Sequence, residues 1–263
     1  MSLLPGLLED LRMESEVLLM VLEALDTSQC DELTEAAPWT IKDQVAHLAF
    51  FDDQQRLAIV DPPVFAAGAR QALSLPTSLV DVARDTYADE EAGEVFEWFE
   101  TSRADLLHTF KACNSSDRLE WFGPSMSVAS AVTARLMETW AHGVDITDAL
   151  GRPPASSDRL RHVARLAHRA RPFAYESHRL EMPPEPLRFE LTSPTGELWS
   201  EGDEAATSVI VGPALDLCLV ATQRRHVLDT ELVCSDTSAA EWLGIAQTFA
   251  GPAGPGRPPR VKP

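Results

Sequence analysis

Four long segments near the start of the chain repeat apolar side chains at intervals of three and four, which is the spacing of one α-helical face. The predicted helices cover residues 3–25, 41–60, 92–112 and 128–150. Thr40 and Ser127 suit the caps that begin the second and fourth helices, while Pro62 and Gly151 suit their ends. Four amphipathic helices of this length predict a helical bundle.

The pattern changes after about residue 154. A basic helical segment at 159–171 is followed by a proline cluster at 183–186. Residues 187–201 then alternate between apolar and polar around Pro194-Thr195-Gly196, which predicts a β-hairpin. A helix at 213–222, a strand at 230–234 and a helix at 239–249 complete the prediction.

We therefore predict an α plus α+β fold class. An N-terminal four-helix bundle covers residues 1–154, a small C-terminal α+β domain covers 155–250, and a flexible tail covers 251–263.

The composition excludes several classes of protein. The chain has 263 residues, with 41 acidic and 22 basic side chains and a net charge of −19, so it repels nucleic acid and anionic lipid. No apolar run is long enough to span a membrane, and acidic residues interrupt the N-terminal apolar segment, unlike a signal peptide. The four cysteines are too scattered for a thiolate zinc site or a disulfide scaffold. We expect a cytoplasmic protein that binds neither nucleic acid nor membrane.

Candidate metal ligands lie on two of the predicted helices. Glu138 and His142 are four residues apart, which places both side chains on one face of the fourth helix. His47 lies in the middle of the second helix. In a bundle these three can converge as a divalent-metal site with an open position. The alternatives are a solvent-exposed Glu138–His142 pair and a core histidine satisfied by a backbone carbonyl.

The segments PWTIKDQVAHLAFFD and RLMETWAHGVDI resemble motifs of the DinB-like superfamily. More narrowly, they resemble its actinobacterial branch related to mycothiol-dependent maleylpyruvate isomerase. The resemblance extends into the second domain through RPFAY, ELW, GPALDLCLVATQRRH and AEWLGIAQTFAG. It implies a DinB-like bundle in which His47, Glu138 and His142 bind zinc or a similar divalent ion. Histidine and carboxylate ligands also accept nickel, iron, cobalt and manganese.

The resemblance also implies an enzyme that uses mycothiol. We predict a metal-dependent mycothiol S-transferase or a maleylpyruvate-isomerase-like isomerase, whose substrate is a small electrophile. The metal would stabilise the thiolate of mycothiol, so no protein cysteine is needed. Two alternatives stay open: a non-catalytic, metal-stabilised binding or interaction protein, and a metal-independent cyclase or isomerase that uses the bundle cavity.

Arginines are the candidate catalytic residues, through the binding of substrate. A guanidinium group binds a carboxylate through two hydrogen bonds, so we expect an anionic substrate to contact some of these side chains. The candidates are Arg135, Arg171, Arg224 and Arg225. The alternative is that they pair with acidic side chains of the protein itself.

Two acidic residues are candidates to orient the histidines. Asp43 lies one turn before His47, and Asp145 lies one turn after His142. A carboxylate that accepts the second imidazole N–H would determine which ring nitrogen binds the metal. Each could equally be a solvated helix residue.

Overall fold

The computed structural model describes residues 3–74, 79–254 and 256–260. The chain divides into two compact units, Met1–Ala155 and Ser156–Pro263. The first unit contains helices α1 (Leu3–Glu23), α2 (Thr27–Cys30), α3 (Ile41–Val60), α4 (Pro62–Leu73), α5 (Leu79–Thr86), α6 (Ala92–Phe110) and α7 (Val128–Ala149), and the short strands β1 (Arg118–Leu119) and β2 (Met126–Ser127).

The four long helices form a closed ring around one core. Helix α1 packs against α7, α7 against α3, α3 against α6, and α6 against α1. Buried apolar side chains such as Leu18, Val45, Leu48, Phe99 and Ile146 fill the centre of this ring. The helical bundle predicted from the apolar spacing is confirmed.

Side-chain caps explain where the central helices begin. The Thr40 hydroxyl accepts the backbone N–H of Asp43, and the Asp43 carboxylate accepts the backbone N–H of Thr40 at 2.8 Å. This reciprocal pair starts α3 at Ile41, as the sequence predicts. Ser127 caps α7 in a similar way by accepting the N–H of Ser130.

The sequence prediction missed α2, α4 and α5 and the β1–β2 pair. Helix α3 ends at Val60 as predicted, but α4 begins immediately afterwards at Pro62. Proline is tolerated in the first turn of a helix because the N–H groups there have no partner within the helix. Pro62 therefore ends one helix and begins another, with Asp61 as the cap.

The second unit is a small α+β arrangement, and the predicted fold class is confirmed. Its strands are β3 (Leu187–Thr192), β4 (Leu198–Glu201), β5 (Ser208–Pro213) and β6 (Val233–Cys234), and its helices are α8 (Leu160–Arg169), α9 (Arg171–His178), α10 (Ala214–Ala221) and α11 (Thr237–Ile245). The sheet order is β4-β3-β5-β6, and only the β3–β5 pair is parallel. The predicted β3–β4 hairpin turns at Gly196, whose φ of 89° favours glycine.

Other boundaries differ from the prediction. Strand β5 was missed, the strand at 230–234 shortens to Val233–Cys234, and α11 ends at Ile245 instead of 249. The basic segment at 159–171 divides at Ala170 because Pro172 lies in the first turn of a second helix, α9.

The predicted flexible tail, 251–263, is partly described. Residue 255 and residues 261–263 lie outside the described residues, and the backbone N–H of Arg260 donates to Asp229 at 2.8 Å. None of the helices in the described ranges is long and apolar enough to cross a membrane.

Candidate metal centre

Three side chains from two helices of the bundle meet in one cluster. His47 comes from α3, and Glu138 and His142 come from α7. One potential ligand atom from each lies within 4.8 Å of the other two. The shortest contact joins His142 Nε2 to Glu138 Oε2 at 3.1 Å, and His47 Nε2 lies 3.9 Å from the same oxygen. We call these three residues the metal cluster.

The sequence spacing and the packing of α3 on α7 together build the metal cluster. The four-residue separation aligns Glu138 and His142 along α7, and the contact between the helices adds His47. The two histidine side chains are 10% and 8% exposed, while that of Glu138 is 22% exposed. The cluster is therefore most accessible on its carboxylate side.

The environment keeps Glu138 ionised. Burial of this carboxyl group opposes ionisation, but a hydrogen bond from His142, made when that ring is protonated at both nitrogens, and attraction to His142, His47 and Arg135 lower its pKa to about 2. At neutral pH the group is therefore a carboxylate, which is the form that binds a metal ion.

Aromatic rings cover part of the metal cluster. The Trp39 ring is nearly parallel to that of His142, with centroids 6.0 Å apart, and lies 5.1 Å from that of His47. The Phe51 ring lies 4.6 Å from that of His47 and 5.9 Å from that of Phe122. Apolar rings beside the imidazoles lower the local polarity, which strengthens electrostatic interactions within the cluster.

An amide side chain that the sequence analysis missed contacts His142. The Nδ1 atom of His142 is hydrogen-bonded to the Gln44 side-chain oxygen, and the Gln44 nitrogen donates to the Thr34 hydroxyl at 2.8 Å. Gln44 lies three residues before His47 and therefore on the same face of α3. That was the one available signal, because its partner lies on another helix.

The two predicted orienting acids lie in different surroundings. The structure places Asp43 in the cap of α3, where it accepts hydrogen bonds from the backbone N–H and the hydroxyl of Thr40, both at 2.8 Å. Asp145 is completely buried. The Nδ1 atom of His142 is hydrogen-bonded to Gln44. A role for Asp145 in orienting that ring stays a prediction.

A second polar cluster, also missed by the sequence analysis, joins α3 and α7 to α6. Arg103 donates to the two oxygens of Asp52 at 2.7 and 3.2 Å, and Arg135 donates to Asp52 at 2.8 Å. Arg135 also donates to the Leu48 carbonyl at 3.1 Å. We call Asp52, Arg103 and Arg135 the ion-pair cluster. It gives Arg135 a partner inside the bundle, where the residue is 4% exposed, and substrate binding by Arg135 stays a prediction.

The other three predicted arginines belong to the second unit. Arg171 donates to the carbonyls of Glu185 at 2.8 Å and Pro183 at 3.1 Å. Arg224 and Arg225 also donate to backbone carbonyls, at 2.8 and 2.7 Å. A role for these three in binding an anionic substrate stays a prediction.

The cysteines are poor nucleophiles. All four are free thiols, and burial raises the pKa of each one: Cys30, Cys113, Cys218 and Cys234. A raised pKa keeps a thiol protonated at neutral pH, and the protonated form is unreactive.

The sequence of this chain is similar to those of two curated proteins. Two curated proteins of Mycobacterium tuberculosis, the uncharacterized proteins MT0041 of strain CDC 1551 and Rv0036c of strain H37Rv, are each 39% identical to this chain over 248 residues. The alignments cover 94% of this chain and 96% of each relative.

The fold is similar to that of a solved enzyme. A crystal structure of the mycothiol-dependent maleylpyruvate isomerase matches with a TM-score of 0.60, 16% identity, and coverage of 88% of this chain and 92% of that one. A histidine-to-alanine mutant of that enzyme matches with a TM-score of 0.57. The family model described as the mycothiol maleylpyruvate isomerase N-terminal domain matches residues 11–147, which include the whole metal cluster. The chain therefore belongs to the mycothiol maleylpyruvate isomerase N-terminal domain family.

Proposed function

We propose that this protein is a divalent-metal-dependent enzyme that uses mycothiol and acts on a small electrophilic substrate. The enzyme either isomerises this substrate with the help of mycothiol or transfers mycothiol to it. The observation that carries the proposal is the convergence of His47, Glu138 and His142 in a bundle of this family. The solved isomerase with the same fold is mycothiol-dependent, which supports the choice of thiol.

The chemistry of the metal cluster suits a divalent cation. Both ring nitrogens of His142 face oxygen atoms, one of Gln44 and one of Glu138, yet a neutral imidazole has a single N–H. A cation near Glu138 would satisfy the nitrogen that carries no hydrogen. Two imidazoles and one carboxylate suit zinc and leave a position open, although nickel, iron, cobalt and manganese accept the same donors.

A metal ion held by these three residues would stabilise the thiolate form of mycothiol over its thiol. The residues of the chain do the remaining work. Ionised Glu138 supplies the negative charge that retains a cation, and Trp39 and Phe51 lower the local polarity beside the two imidazole rings. None of the four protein cysteines is needed as the nucleophile.

The two versions of the reaction differ in whether the carbon–sulfur bond is broken again. In the isomerisation, sulfur adds to a carbon–carbon double bond conjugated with a carbonyl, whose oxygen takes up the electron pair. The former double bond then rotates, the carbon–sulfur bond breaks, and the thiol is recovered. In the transfer, the carbon–sulfur bond remains and a leaving group departs with its bonding electrons.

Metal analysis of purified proteins tests the proposal. We expect about one divalent ion in the wild type, and far less in His47→Ala and Glu138→Gln, because each variant removes a ligand. Glu100→Gln is the matched control, since Glu100 is an exposed glutamate of α6. Equal, negligible metal in all four proteins would show that the metal site is wrong.

Two further measurements separate the proposal from its alternatives. Calorimetry of mycothiol with the metal-loaded protein should show binding, and the absence of heat at millimolar thiol would favour a non-catalytic metal-binding protein. Turnover of maleylpyruvate with mycothiol is then measured before and after chelation. Activity that survives exhaustive chelation would favour the metal-independent alternative.

A further inference from the structure

A line of hydrogen bonds leads from a loop to the metal cluster. The Thr34 hydroxyl donates to the backbone carbonyl of Trp39 at 2.9 Å, and it accepts from the Gln44 side-chain nitrogen at 2.8 Å. The Gln44 oxygen is bonded to His142 Nδ1. Counted as whole residues, Thr34, Gln44 and His142 are 4%, 0% and 6% exposed, so water does not compete freely for these groups.

The direction of this line follows from the number of hydrogens available. A hydroxyl group has one hydrogen, and that of Thr34 is directed to the Trp39 carbonyl. Towards Gln44 the hydroxyl can only accept, so the amide NH₂ faces Thr34 and the amide oxygen faces His142. An amide oxygen cannot donate, so the hydrogen in the last bond belongs to Nδ1 of His142.

This arrangement leaves a lone pair on the other ring nitrogen. In a neutral imidazole with its hydrogen on Nδ1, Nε2 carries none. Nε2 is the atom that lies 3.1 Å from Glu138, inside the metal cluster.

We propose that Gln44 and Thr34 are positioning residues that hold His142 in the Nδ1–H tautomer, with Nε2 ready to bind the metal. The inference rests on the proposed function, because it assumes that the metal cluster binds an ion. It adds two residues of this chain to the site: Gln44 contacts a ligand, and Thr34 orients Gln44.

The affinity for zinc is the first readout. Gln44→Leu removes the acceptor and should weaken zinc binding 10- to 100-fold, the usual loss when such a partner is removed. Gln44→Glu keeps an acceptor for Nδ1–H and should retain affinity. Gln55→Leu is the matched control, because Gln55 is equally buried on α3 but makes no contact in this line, and zinc binding should not change.

The tautomer is the second readout and needs no metal. Long-range nitrogen–proton NMR of the metal-free wild type, at a pH where the ring is neutral, should show the His142 hydrogen on Nδ1. In Thr34→Val a methyl group replaces the hydroxyl, so Gln44 loses the partner that orients it. We expect the Nε2–H form to increase and zinc binding to weaken. Circular dichroism confirms that each variant is folded.

The outcomes separate this inference from the proposed function. A wild-type ring with its hydrogen on Nε2 would overturn the inference, as would unchanged zinc binding in folded Gln44→Leu. If wild type and Gln55→Leu bind none of zinc, nickel, iron, cobalt and manganese, the proposed function fails. In that case the NMR measurement on the metal-free protein still decides how Gln44 orients His142.

Discussion

Two polar clusters join α3 to α7, one of them with Arg103 of α6 as well, and they differ in the partners of their charged groups. In the ion-pair cluster, Asp52 is completely buried and faces two guanidinium groups within 3.2 Å. In the metal cluster, two imidazoles surround one partly exposed carboxylate, Glu138. In the first cluster the carboxylate has its counter-ions, whereas the second has the donor atoms that a cation would bind.

The comparison shows what a buried polar group indicates about function. A charge that is fully paired inside the protein contributes to structure, and breaking the pair is costly. A set of donor atoms that face one another and open towards solvent is better explained by a ligand. Both clusters are polar interruptions of an apolar core, but the metal cluster alone suits an external ion.

The largest expected effect is on stability and comes from the ion-pair cluster. Asp52→Ala leaves Arg103 and Arg135 buried without their carboxylate, so we expect a loss of about 3–5 kcal/mol in the free energy of unfolding. Urea denaturation of the metal-free protein measures it. The comparison variant, Glu138→Gln, should lose much less, because Glu138 is partly exposed. Equal losses in both variants would remove the distinction between the clusters.

Metal binding should stabilise the protein through the metal cluster only. With free zinc at 100 times its Kd, the free energy of unfolding of the wild type should rise by about 2.7 kcal/mol, because the ion binds the folded state. A chelator should reverse the gain, and Glu138→Gln should show none. Denaturation with and without zinc measures the difference. A similar gain in Glu138→Gln would place the ion elsewhere.

A smaller effect distinguishes Asp43 from Gln44. Asp43→Ala removes half of the α3 cap, so we expect a loss of about 1 kcal/mol in stability, typical of a lost cap. The zinc affinity should stay at the wild-type value, because Asp43 bonds to Thr40. Calorimetric titration with zinc provides the check. A loss of affinity as large as that of Gln44→Leu would mean that Asp43 orients the site after all.

The smallest expected effect concerns the cysteines. Burial raises the pKa of each thiol, so a thiol reagent at neutral pH should label the folded protein slowly and the unfolded protein rapidly. Replacing Cys30, Cys113 and Cys234 together by serine should leave mycothiol-dependent turnover unchanged. A large loss of turnover in this folded variant would indicate that a protein thiol takes part.

The local rules of helix formation account for what could be predicted. Thr40 and Ser127 begin α3 and α7 in the structure because a cap depends on residues within a few positions of one another. The same rules missed α4, since they treat Pro62 as the end of α3 and overlook that it also begins α4. Strand β5 was missed because it pairs with β3 and β6, which are not its immediate neighbours in sequence.

The candidate site also contains residues that local sequence rules could identify and residues that they could not. The Glu138–His142 spacing is a property of one helix and could be recognised directly, while His47 was linked to it by the expectation of a bundle and by family resemblance. Gln44 and the ion-pair cluster could not be found in this way. Their partners are on other helices, and the direction in which a side chain points depends on how those helices pack.

The sequence by itself therefore determined the four bundle helices, the fold class and the family, because apolar periodicity, capping and motifs are encoded within short segments. Only the tertiary structure decided that Arg135 pairs with Asp52, that Asp43 caps α3, and that Gln44 contacts His142. The physical reason is that a buried polar group bonds to whichever partner the packing brings within about 3 Å. Sequence distance does not limit that choice.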